Sequence, residues 1–120
     1  TAHDDATYEI VNDLNKNYRS FISLQEVADK YHINKFYLSH AFNDLVGISV
    51  MRYVNCLRLG EAQSLLINTE LSISEISAKL GYDDNTYFSS IFRKKLGLSP
   101  SNYRRYFRKQ NKDQMRRGSG

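Results

Sequence analysis

Apolar residues recur at helical spacing along nearly the whole chain, and the breaks between these stretches fall at residues suited to turns. Ile10, Val11 and Leu14 mark one side of an opening helix predicted over about Asp5 to Asn17. Val50, Val54, Leu57, Ala62, Leu65 and Leu66 lie on one stripe and predict a single linking helix from Ser49 to roughly Leu66. At about 1.5 Å per residue that helix is roughly 27 Å long. Gly60 inside it costs up to about 1 kcal/mol relative to alanine. Ser99-Pro100 opens a closing helix through Tyr103 and Tyr106, because proline suits a first helical turn.

The remaining pattern is a repeat. Leu24-Gln25-Glu26-Val27-Ala28 matches Ile73-Ser74-Glu75-Ile76-Ser77 at an offset of 49. After one extra residue in the second half the offset becomes 50, and Leu38-Ser39, Phe42, Gly47-Ile48-Ser49 and Tyr53 fall on Phe88-Ser89, Phe92, Gly97-Leu98-Ser99 and Tyr103. Agreement at so many spaced positions means that each half builds the same unit. The extra residue lies in the turn, between His32 to Asn34 and Gly81 to Asp84, where a length change costs least.

Each unit reads as two short helices around a tight turn. In the second, a helix over 74–80 ends at Gly81, which tolerates the left-handed conformation, and Asp83 or Asp84 caps the next helix, about Asn85 to Leu96. Tyr87, Phe88, Ile91 and Phe92 are its expected inward stripe, with Thr86, Ser89, Ser90 and Arg93 outward. In the first unit Asn34 is the expected cap; Phe36, Leu38, Ala41, Phe42 and Leu45 make the corresponding helix mostly apolar, while Lys35, Ser39, His40 and Asn43 face out. The expected fold is all-α, with seven helices: two tandem helix-turn-helix units (about 5–48 and 72–108), a long linking helix (about 49–67), and a basic flexible tail (109–120).

Charge sharpens this picture. Residues 1–47 carry four basic side chains against seven acidic ones, net −3, whereas Arg93 to Arg117 holds ten basic residues against Asp113 alone, net +9. A concentrated basic end points to a phosphate-rich partner, since neutralising phosphates releases condensed counterions. For Lys112 to Gly120 a solvated tail competes with that reading. Hydrophobic residues at 41% and charged residues at 25% are ordinary for a globular domain. There is no run of about 18 apolar residues and no signal-peptide pattern at Thr1 to Asp5, so the chain reads as cytoplasmic. The single Cys56 has no internal partner, in keeping with a reducing compartment.

Catalytic constellations are not expected. Asp83 and Asp84 are adjacent carboxylates, but at a turn before a helix they read as caps. His3, His32 and His40 lack metal-ligand spacing, and Cys56 has no neighbouring base. No phosphate-cradling glycine loop or nucleophile elbow occurs, so neither a metal nor another cofactor is expected.

The stretch Ile73-x-x-Ile76-Ser77-x-x-Leu80-Gly81-Tyr82-x-x-x-x-Tyr87-Phe88-Ser89-x-x-Phe92-Arg93-Lys94-x-x-Gly97-x-Ser99-Pro100-x-x-Tyr103-Arg104 resembles the signature of AraC/XylS transcription regulators. Leu24-x-x-Val27-Ala28, Leu38-Ser39-x-x-Phe42, Gly47-x-Ser49, Tyr53 and Arg58-x-x-x-Ala62 resemble the same family's first unit, so the likeness covers about residues 5–108. It implies a sequence-specific DNA-binding domain of a bacterial transcription regulator, monomeric, with two recognition helices entering successive major grooves of double-stranded DNA. It further implies an effector-binding or dimerisation domain elsewhere in the full-length protein, with RNA polymerase a further candidate partner. Two other readings are the targeting module of a DNA-repair enzyme and a helical interaction module without DNA binding. The basic C-terminal segment and the polar recognition faces favour DNA over the latter. The chain departs from the family pattern with Ser77 where alanine is usual, Asn34 where serine is common, and Ser90 where arginine is frequent.

On this reading Lys35, Phe36, Ser39, His40 and Asn43 are the base-reading candidates of the first recognition helix, by hydrogen bonds to base edges or contact with a thymine methyl. Asn85, Thr86, Ser89 and Ser90 are those of the second; short and uncharged, they suggest weaker or more shape-dependent discrimination. Arg93, Lys94, Lys95 and Arg104 are the phosphate candidates. Arg58, inside the apolar linking helix, is expected to be structural, paired with an acid or a helix end.

Overall fold

Ser23 and Ser72 each stand three residues before a glutamate, and each hydroxyl oxygen accepts that glutamate's backbone N–H, at 3.1 Å from Glu26 and 3.0 Å from Glu75. Such caps satisfy donors that a helix start leaves open. They begin the short helices α2 (Leu24–Lys30) and α5 (Ile73–Lys79) of a computed structural model that describes residues 2–20 and 23–118, with side chains for 6–20 and 23–112. The other helices are α1 (Ala2–Asn17), followed by a 3-10 turn at Tyr18–Ser20, α3 (Lys35–Val46), α4 (Val50–Asn68), α6 (Asn85–Leu96) and α7 (Pro100–Gly118). Seven α-helices and no strand are present among the described residues, the class read from the sequence. Helix α1 starts at Ala2 rather than near Asp5.

Both short helices end alike. After α2, His32 N–H donates to the Asp29 carbonyl and Ile33 N–H to the Ala28 carbonyl; after α5, Gly81 and Tyr82 donate to Ala78 and Ser77. This paired closure needs a left-handed residue at its centre. Gly81 takes it at φ +91°, but in the first unit His32 must adopt φ +54°. A side chain in that conformation costs about 1–2 kcal/mol.

The chain divides into two units, residues 1–60 and 61–120. The first is built on Ile10, Leu14, Val27, Ala28, Leu38, Phe42, Val50 and Val54, all buried in one cluster, with Val11 only partly buried against it. Lys30 ties α2 to α1 through Asp13 at 2.7 Å. In the second unit Ala62, Leu66, Ile76, Leu80, Tyr82, Phe88, Phe92 and Tyr103 are buried. Its rings follow one another from Tyr82 to Phe88 (5.3 Å between centroids), Phe92 (5.9 Å), Tyr103 (5.3 Å) and Phe107 (4.4 Å). Ser77 is buried there with no hydrogen-bond partner for its hydroxyl.

The stripe expected on α4 is corrected in part. Leu57 and Leu65 are half-buried, while Arg58 and Leu59 join Val50, Val54, Ala62 and Leu66 inside. Buried positions at every fourth residue rotate about 40° per step around a helix, so no straight stripe describes them. Arg58, 2% exposed, donates from Nε to the Tyr18 carbonyl at 3.2 Å, fastening the end of the opening helical segment. The stretch from 109 expected as a flexible tail instead continues α7 to Gly118. Residues 109–117 contain neither proline nor glycine and are mostly good helix formers. His3, Asp113, Arg116 and Arg117 lie outside the described side chains.

Candidate nucleic-acid interface

Helices α3 and α6 occupy the same register in the repeat and are framed by the same devices. Asn34 Oδ1 accepts the N–H groups of Phe36 (2.8 Å) and Tyr37 (3.2 Å) at the start of α3; Asp84 Oδ1 accepts that of Thr86 (2.8 Å) at the start of α6. Gly47 (φ +92°) and Gly97 (φ +82°) end them in the left-handed conformation. Each helix buries the same two positions, Leu38 and Phe42 in α3, Phe88 and Phe92 in α6. Fixed caps and buried anchors set which side of each helix meets solvent.

On α3 that side carries Lys35, Phe36, His40 and Asn43, all exposed, with Ser39 half-buried at its edge. Phe36 is 68% exposed and Lys35 Nζ lies 5.3 Å from its ring centre, so these two neighbours form one amphipathic patch. Helix α6 exposes Thr86 and Ser90, with Ser89 half-buried. Asn85 is exposed but its Nδ2 donates to Ser74 Oγ at 2.8 Å, which commits the amide to holding α6 against α5. Arg93, Lys94 and Lys95 are exposed in the last turn of α6, where cations also complement the helix dipole.

Two expectations are corrected. Tyr87, placed on the inward stripe of α6, is 55% exposed; positions 88 and 92 centre the buried face, and residue 87 lies a quarter turn or more away. Arg104, assigned to phosphate, is half-buried and committed within the protein: Nε donates to the Leu66 carbonyl at 2.9 Å and an Nη to the Thr69 carbonyl at 3.2 Å. With Arg108, which donates to the same Thr69 carbonyl and pairs with Glu70 at 3.0 Å, it closes the C-terminal end of α4. Open carbonyls at a helix end are strong acceptors for a guanidinium.

The two units differ electrostatically. Residues 1–60 carry six basic and seven acidic side chains, net −1; residues 61–120 carry eleven and six, net +5. The last turn of α3 presents Asn43 and Asp44 where α6 presents Arg93 and Lys94. Among the described residues no group of three or more His, Cys, Asp or Glu side chains is placed to hold a metal ion, and no helix is long and apolar enough to cross a membrane.

Comparison with known proteins agrees with this architecture. Residues 27–106 match the model of a helix-turn-helix domain family. The chain is 41% identical over 95 residues to the uncharacterised HTH-type transcriptional regulator YdiP of Escherichia coli K12, covering 79% of this chain and 31% of that protein. It is 36% identical over 99 residues to the lactose operon transcription activator of Staphylococcus xylosus, covering 82% and 36%. It thus spans about a third of the length of these curated relatives. Among solved structures, the C-terminal domain of the response regulator AraT from Geobacillus stearothermophilus superposes with a TM-score of 0.78 at 35% identity, covering 83% of this chain and 84% of that one. The chain belongs to the AraC-type helix-turn-helix family and is a DNA-binding domain of a transcription regulator.

Proposed function

We propose that α3 and α6 are recognition helices that enter successive major grooves of one duplex, with the first unit supplying most base discrimination and the second most phosphate grip. The observation that carries this reading is the matched framing of the two helices with unlike outward residues. Lys35, Phe36 and His40 on α3 are long or aromatic and, with the amide of Asn43, suited to base edges, with Ser39 at the margin. Thr86, Ser89 and Ser90 on α6 are short, and Asn85 is engaged with Ser74, so this helix discriminates weakly while Arg93, Lys94 and Lys95 hold phosphates. Arg104 is left out of the phosphate set because its guanidinium closes α4.

The chain acts by binding and not by catalysis: Asp84, one of the two adjacent carboxylates, serves as a helix cap. In the full-length protein this domain works in the cytoplasm beside an effector-binding or dimerisation domain, and RNA polymerase is the further partner. Two readers spaced by one linking helix call for a single asymmetric site of roughly 20 base pairs, with half-contacts about 10 base pairs apart. Footprinting on a duplex selected from a random pool tests this. Inserting about five base pairs between the half-contacts turns one by half a helical turn and should abolish tight binding by a single chain. Retained affinity, or an obligate two-chain complex on a symmetric site, would refute it.

A further inference from the structure

Tyr87, Ser90 and Lys94 share one stripe of α6, three and four residues apart, and all three are exposed. Tyr87 is too exposed, at 55%, to contribute much to the core. Its ring is nevertheless held: it lies 6.1 Å from the ring of Tyr82 at an interplanar angle of 57°, and Tyr82 is itself buried against Phe88. A phenol positioned at the first turn of this helix, with a lysine two turns on along the same edge, suits a backbone that passes along that edge. Tyrosine hydroxyls are among the neutral donors that grip phosphate and set a helix's register on a duplex. Helix α3 places Tyr37 at the same register, but its stripe runs on through His40 to the carboxylate of Asp44, which repels phosphate. The chemistry is therefore specific to the second unit.

Resting on the reading of α6 as a groove-entering helix, we propose that Tyr87 is a DNA-contact residue whose phenol O–H donates to a backbone phosphate oxygen flanking that groove. It positions a helix whose own base-facing side chains are too short to do so. The test compares Tyr87→Phe and Lys94→Gln with the unaltered chain, on a duplex selected by the protein from a random pool and on an unselected duplex of equal length. Tyr87→Phe should weaken binding to both by about tenfold, with an unchanged salt slope, because the lost donor is neutral. Its melting temperature should stay where it was. Lys94→Gln should flatten the slope by about 1. If Lys94→Gln behaves so while Tyr87→Phe binds both duplexes within about twofold of the unaltered chain, the assignment of Tyr87 is wrong and the reading of α6 stands. If Tyr87→Phe is silent and Tyr87→Ala loses preference for the selected duplex alone, the ring reads a base and the phosphate contact is refuted. If Lys94→Gln, Thr86→Ala and Tyr87→Phe all leave binding unchanged, the reading of α6 itself falls.

Discussion

Replacing Arg104 by glutamine separates the role that its basic neighbourhood suggests from the one that its hydrogen bonds describe. The substitution removes the Nε bond to the Leu66 carbonyl and the Nη bond to Thr69. Thr69 keeps Arg108 as a donor, so the uncompensated loss is chiefly at Leu66. A bond from a charged donor is worth about 1.5–3 kcal/mol, and a cation at a helix C-terminus adds about 0.3–1 kcal/mol. Arg104 is only half-buried and water can reach part of the site, so about 2 kcal/mol is expected. For a chain of 120 residues that lowers the melting temperature by about 8 °C. Urea unfolding followed by circular dichroism measures the stability, and salt titration of DNA affinity measures the charge role. Arg104→Gln should lose stability and keep its salt slope; Lys94→Gln should do the reverse. An Arg104→Gln protein that melts normally but flattens the slope by about 1 would overturn the structural role.

Three further substitutions probe features of the fold. Ser77→Ala removes a buried hydroxyl that has no hydrogen-bond partner and should raise stability by about 1 kcal/mol in urea unfolding, whereas a loss would mean that the hydroxyl is satisfied in solution. His32→Gly relieves a left-handed side-chain conformation and should stabilise the first unit by about 1 kcal/mol; an unchanged or lower melting temperature would show that the imidazole compensates for its strain. Asp13 has its pKa lowered, chiefly by the hydrogen bond from Lys30, so its contribution is present above the ordinary carboxylate range and fades as pH falls through the lowered value. Asp13→Asn should therefore cost about 0.5 kcal/mol near neutral pH and nothing in acid, where the two unfolding curves converge; a gap that persists in acid contradicts the linkage.

What could be read in the sequence was what depends on near neighbours. The caps Asn34 and Asp84 and the bounds of α6 follow from residues within a few positions of one another, and the repeat shows because the same local pattern occurs twice. The caps at Ser23 and Ser72, which the sequence reading did not name, are equally local, each hydroxyl accepting the backbone N–H three residues on. Arg104 was not legible, because its partners lie 35 and 38 residues away and its charge alone points to phosphate. Tyr87 was misplaced because a tyrosine counts as apolar in a periodicity while its hydroxyl makes exposure inexpensive. In the candidate site, Lys35, His40, Asn43, Thr86 and Ser90 stand outward as the period predicted, Phe36 is exposed although it counts among the apolar positions of α3, and the bond from Asn85 to Ser74 depends on the folded turn.

The unequal charge of the two units sets an order of events in time. A field from net +5 reaches about 8 Å through physiological salt before it is screened, and a net −1 body offers no such attraction. The second unit therefore arrives first and holds the chain on any stretch of duplex, as electrostatic, sequence-independent binding does when proteins slide along DNA. If α3 reads bases as proposed, the first unit, unattracted until it is close, is free to test and reject base edges as the chain moves. Search speed would then reside in residues 61–120 and dwell time on the correct site in α3, so added salt should slow arrival far more than it hastens departure.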